Sequence, residues 1–192
     1  MVDILDALKK QHAHMRGMLQ VIEKAIEDFG AGGRLDPYLA DALLRYIAQF
    51  PKTVHRPVEV AVYQALGQAD ASLAALAETT AAEHGDLEAR AEHLRALLFW
   101  SGQHPEFPRQ LAVSMARALI GDLRRHMGEE EDRLFPVAEK RLDAAAWARV
   151  RAAAGTAGPA WRSRIRPLRR LFAQIAALTP PPPRQGKNVK PA

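Results

Sequence analysis

Four histidines, His12, His55, His84 and His126, carry the chemistry legible in this 192-residue sequence. Three are followed four residues later by a glutamate: His55 by Glu59, His84 by Glu88 and His126 by Glu130. Residues i and i+4 share one face of a helix, so each pair can aim an imidazole and a carboxylate at one point. A single such pair reads as readily as a hydrogen-bonded core couple or a wetted helix face. Three pairs plus His12 at one level are harder to explain that way, because buried polar groups cost free energy unless partnered. A bound cation would satisfy all of them together. The chain has no cysteine, which excludes disulfides, thiolate zinc sites and iron–sulfur clusters. Nitrogen and carboxylate ligation remains, and it suits iron, manganese or zinc.

The elements that must position these groups are helices. Apolar residues make up 48% of the chain, aromatics only 6%, and alanine and leucine dominate, a composition that favours helix over strand. Leu5, Leu8, His12, Met15, Leu19, Ile22, Ile26 and Phe29 form one apolar stripe from about Ile4 to Phe29, ended by Gly30, Gly32 and Gly33. A second helix is expected from about Pro37 to Leu66, bent by Pro51 and Pro57. A third, capped by Asp70 or Ser72, reaches about Trp100, with Leu73, Ala77, Thr80, His84, Leu87, Glu88 and Ala91 on its stripe. The segment SGQHPEFP breaks the chain, with Pro105 and Pro108 suited to a helix start. A fourth helix then runs to about Leu142. Short connections imply an all-α, up-down-up-down antiparallel four-helix bundle.

Depth can be counted from the turns. With turn centres near residues 33, 69–70 and 105, His12 lies about 21 residues before the first and His55 about 22 after it. His55 and His84 flank the second at about 14 and 15, and His84 and His126 each lie about 21 from the third. At about 1.5 Å of rise per residue these agree within a residue or two. Each glutamate lies C-terminal to its histidine, hence on opposite sides of the histidine level in antiparallel helices. The ligands therefore spread along the axis, which suits two carboxylate-bridged ions better than one. An open position on iron would bind dioxygen or a related diatomic.

The remainder is basic. From Lys140 onward the sequence has twelve Lys/Arg against one acid, Asp143. Residues 143–154 and 159–178 read as one or two further helices, whose Trp147, Trp161, Ile165, Leu168, Phe172 and Ile175 can pack on the bundle. The sequence thus divides into a bundle over 1–142, a basic helical extension over 143–178 and a Pro-rich, disordered tail over 179–192. Arg162, Arg166, Arg169 and Arg170 cluster on one helix side; a solvated face is preferred here to a nucleic-acid surface. No apolar run approaches a membrane span, and MVDILDALKK reads as the start of an amphipathic helix rather than a signal peptide. The expected location is the cytoplasm, with no membrane partner. No nucleotide-binding or nucleophile-elbow motif is present. The Glu-x-x-His order of ferritin-like sites is absent at all four positions.

KKQHAHMRGML, FPKTVHRPVEVAVYQAL, AAEHGDLEAR and LRRHMGEEEDRLFP, together spanning roughly residues 3–142, resemble the hemerythrin-like (HHE cation-binding) domain family. The resemblance implies a four-helix bundle around a non-heme di-iron centre that binds O2 or a related ligand, or senses oxygen, redox state or iron, with a possible electron donor as partner. The expected ligands are His12, His55, Glu59, His84, Glu88, His126 and Glu130. Glu131 is an alternative to Glu130, since some members space the acid at i+5. Arg56 stands where the family often has a second histidine; it can lie behind the ligands or face solvent. Tyr63, one turn after Glu59, can approach the cluster or pack the core. Asp122, one turn before His126, can orient that ring or remain a surface acid. His14 and His104 are expected to be exposed, and His93 lies off the third stripe. No catalytic residue is assigned. Binding or sensing is the favoured reading; a di-iron oxidase, peroxidase or nitric-oxide reductase, and a metal-independent interaction module, are the alternatives. Three carboxylates against two ferrous ions would favour oxidation to the ferric state over durable oxygen carriage.

Overall fold

The computed structural model describes residues 2–101, 104, 108–155 and 158–179. Helix α1 runs Val2–Gly30. It stops where the chain turns through Gly32, whose φ of 97° lies in the left-handed region that glycine tolerates. Asp36 then caps α2 (Pro37–Phe50), accepting from the Tyr38 and Leu39 amides, with Pro37 in the first turn, where its missing N–H costs nothing.

The second rod does not end at its prolines. A π-helical turn, Pro51–His55, joins α2 to α3 (Arg56–Ala69), and the Arg56 amide reaches back to the Pro51 carbonyl. Pro57 has no N–H to donate to the preceding turn and its ring crowds that turn's carbonyl, so the helix widens there instead of breaking. The same device recurs in the fourth rod. Helix α5 (Arg109–Glu129) passes through a π-turn at Glu130–Leu134 into α6 (Phe135–Arg141), with Pro136 at the matching place. The expected bend is thus a local widening, and both widenings fall at the level of the candidate ligands. Between these rods Asp70 caps a 3₁₀ turn, Ala71–Leu73, that leads into α4 (Ala74–Ser101). Pro105, expected to start the fourth helix, lies outside the described residues.

Helix α1 packs on α5, α5 on α4, and α4 on both α2 and α3. The buried stripes form two apolar regions. One holds Leu19, Ile22, Ile26, Leu43, Leu94 and Leu119; the other holds Leu5, Leu8, Val62, Leu66, Leu134 and Phe135. On α1, His12 falls between Leu8 of one region and Met15 of the other. The polar groups therefore form a layer between two apolar masses.

The chain past residue 142 folds against the second rod. Helix α7 (Ala144–Ala154), capped by Asp143, packs on α3 through Ala146, Trp147, Val150 and Ala154. Helix α8 (Gly158–Leu178) packs on α2 and the first π-turn, with Leu168, Leu171 and Ile175 buried. Ile165 is half-buried, and Phe172 is exposed rather than buried. The side chain of Trp161 and the Pro-rich tail beyond residue 179 lie outside the described residues. Among the described residues no helix is long and apolar enough to cross a membrane.

Candidate metal centre

Six side chains from the four rods meet in the polar layer: His12 from α1, His55 and Glu59 from the second rod, His84 from α4, and His126 and Glu130 from the fourth. None exceeds 5% exposure, and Glu59 and Glu130 are fully buried. Each sits on an apolar stripe, so the hydrophobic packing that orients the rods also turns these groups inward.

All four Nε2 atoms converge on the two carboxylates. His12 and His55 face each other at 2.7 Å, His84 and His126 at 3.1 Å. Glu59 spans both pairs: Oε1 is 2.5 Å from His55 and 3.6 Å from His12, and Oε2 is 3.1 Å from His84. Glu130 does the same, with Oε2 at 3.2 Å from His12 and Oε1 at 3.3 Å from His126. Two groups thereby have ligand atoms within 4.8 Å of one another: His12, His55, Glu59 and Glu130; and His84, His126 and Glu130. Apart from these imidazoles, both Glu59 oxygens and Glu130 Oε2 are buried with no hydrogen-bond partner. Such atoms are costly unless something positive is bound between them.

The outer edges of the rings explain why the inner edges are free to ligate. His12 Nδ1 donates to Glu131 Oε1 at 2.8 Å, and His126 Nδ1 donates to Glu83 Oε2 at 2.8 Å. His55 Nδ1 donates to Gln11 Oε1 at 2.8 Å. An imidazole that donates from Nδ1 presents the Nε2 lone pair in its neutral form, the state a metal requires. Phe135 stacks on His12 at 5.6 Å between centroids and holds that ring flat.

Without metal the cluster retains protons. Burial lowers the His12 pKa, but hydrogen bonds and charge from Glu130 and Glu59 outweigh it and push it up to about 9. His84 is likewise raised, burial being overcome by Glu59 and Glu130. Burial raises Glu59, yet the surrounding imidazoles hold it well below the usual carboxylate range. Protons thus stand where cations would go, and metal binding would displace them.

The remaining residues singled out by the sequence take other places. Glu88 is outside both groups; its Oε1 lies 3.0 Å from the Arg56 guanidinium, so Arg56 and Glu88 neutralise each other at the rim of the layer. Glu131 is not turned inward but holds His12 from behind and pairs with Arg16 at 2.9 Å. Tyr63 does reach the cluster, its hydroxyl donating to Glu130 Oε1. Asp122 pairs with Arg90 at 2.8 Å and Arg125 at 3.7 Å, and Glu83 takes the place behind His126. The sequence reading missed Gln11, Glu83 and Arg16. The usable signal was the need of every ligating imidazole for an acceptor at its far nitrogen, together with Gln11 and Glu83 directly preceding ligand positions. His93, off its stripe, is exposed, whereas His14 and His104, expected to be exposed, are half-buried.

Beside the layer lies an apolar cavity of about 30 Å³, walled by Met15, Leu19, Ile47, Leu87 and Met127 and open to His55, His84 and His126. That is room for a water-sized or diatomic molecule. Glu88 is the one carboxylate on its wall.

A family model, the hemerythrin HHE cation binding domain, matches residues 3–138. No curated protein and no solved structure matches the chain.

Proposed function

The chain belongs to the hemerythrin HHE cation-binding family, and we propose that it is a non-heme di-iron protein that binds or senses a small diatomic ligand or redox state. The observation carrying this is the pair of buried carboxylates, Glu59 and Glu130, each spanning two histidine pairs. His12 and His55 would hold one ion, His84 and His126 the other, and Glu59 and Glu130 would bridge them. An iron pair in that position would supply reversible redox change and an open site for a diatomic.

The protein's own residues set the terms of that chemistry. Carboxylates behind His12 and His126 draw on the Nδ1 protons and make both imidazoles stronger donors, which favours the higher oxidation state. This support comes from Glu131 and Glu83 rather than from Glu88, whose charge Arg56 cancels. The apolar cavity admits a small neutral molecule and excludes hydrated ions. Tyr63 fixes Glu130 through its hydroxyl hydrogen bond. The protein is therefore read as an oxidation-prone binder or sensor.

Metal analysis of protein expressed with iron, joined to optical spectra before and after air, tests this reading. Two irons per chain and a new charge-transfer absorption on exposure to air are expected. A chain that folds and takes up no iron would overturn it.

A further inference from the structure

Tyr46 and His14 take no part in the ligand cluster, yet they form a built pair beside it. Tyr46 lies on α2, is 4% exposed, and its hydroxyl is hydrogen-bonded to His14 Nε2 at 2.8 Å. On one side it walls the apolar cavity that opens to His55, His84 and His126. On the other it walls a groove of about 430 Å³ beneath α8, lined also by His14, Phe172 and Arg169. The phenol is thus the partition between the metal layer and a solvent-facing groove. Its ring stacks on Phe50 at 5.2 Å and 18°, and Phe172, 41% exposed, lies 5.3 Å from His14 and 6.3 Å from Tyr46.

A buried phenol bonded to a nitrogen base has the arrangement needed to lose an electron and a proton together. The proton moves along an existing hydrogen bond, so no isolated buried charge is left on the ring. We propose that Tyr46 is a one-electron donor to the oxidised metal centre, with His14 taking the phenolic proton. The inference rests on the reading of this chain as a di-iron protein, and the oxidant is a peroxide in excess. One equivalent, reduced to water, takes two ferrous ions to ferric. A second, also reduced to water, takes the centre two oxidising equivalents further, one of which the phenol returns. In the step, the Tyr46 O–H bond breaks. One electron passes to the centre, which is reduced by one equivalent, and the proton passes to His14 Nε2. Tyr46 remains as a neutral phenoxyl radical and His14 as an imidazolium.

The chain has three tyrosines, and the geometry distinguishes them. Tyr63 donates to Glu130, so its proton would arrive on a candidate bridging carboxylate and weaken the site. Tyr38 is 72% exposed and walls neither the cavity nor the groove. Tyr46 alone borders the cavity and bonds a base that is free of the metal set.

The test mixes ferrous-loaded full-length protein with hydrogen peroxide, freezes it, and records the electron paramagnetic resonance spectrum with iron content measured on the same sample. A tyrosyl signal is expected in the wild type. It should be lost in Tyr46→Phe at unchanged iron content, and kept in Tyr38→Phe, which replaces an exposed phenol away from the site. His14→Gln, which keeps a polar side chain but offers no base, should lower the yield at unchanged iron content. A signal that survives in Tyr46→Phe or vanishes in Tyr38→Phe would overturn the inference. Iron present with no radical in the wild type overturns it while leaving the di-iron reading intact; absence of iron overturns both.

Discussion

Glu83 Oε2 accepts a hydrogen bond from His126 Nδ1 at 2.8 Å, joining α4 to α5 behind the buried polar layer. The bond fixes the tautomer of His126 and strengthens its inward nitrogen as a donor. Glu83→Ala should therefore weaken metal binding about 10- to 100-fold, the usual cost of losing such a partner. Asp122→Ala should leave affinity nearly unchanged, because Asp122 is engaged with Arg90 and Arg125. Titration against a chelator of known affinity measures both.

Glu59 and Glu88 stand in the same relation to their histidines in sequence but not in space. Glu59→Ala removes a carboxylate that touches three imidazoles, and the purified variant should lose most of its metal. Glu88→Ala should retain it, since Arg56 is the group Glu88 touches. Elemental analysis decides between them; loss of metal in Glu88→Ala would restore Glu88 to the ligand set.

Stability of the metal-free protein should depend on pH in a defined direction. His12 is raised from its ordinary 6.5 to about 9, so its contribution is complete below about pH 6.5 and is lost as pH rises through 9. Glu59 is depressed below its ordinary 4.5, so its contribution is present above that value and lost as pH falls. Denaturant midpoints should accordingly decline on both sides of that window. Metal affinity should rise with pH over the alkaline limb, as the proton on His12 ceases to compete.

Trp147, 1% exposed, anchors α7 to the second rod. Trp147→Ala should cost about 3–5 kcal/mol in urea unfolding, with metal stoichiometry unchanged in the folded fraction. Trp147→Phe should cost less, because the indole Nε1 is buried without an acceptor and its removal relieves an unsatisfied donor.

Periodicity within a helix is a local property, and it was enough to specify much of this site. Interrupted apolar stripes put His12, His84 and His126 on buried faces, and the four-residue spacing put Glu59 and Glu130 beside their histidines. What a single helix cannot encode is which neighbour meets its flank. The rotation of each rod, the π-turns that Pro57 and Pro136 induce, and the approach of α8 were settled only when all the apolar faces packed together. Hence Glu88, with the same spacing as Glu59, met Arg56 instead of the cluster. Glu83 displaced Asp122 behind His126, and Glu131 backed His12 instead of facing inward. His14, off the α1 stripe and so expected in water, found Tyr46 because α2 and α8 closed over it. Which histidines enter the polar layer followed from intervals along the chain; their hydrogen-bond partners followed from contacts between segments far apart in sequence.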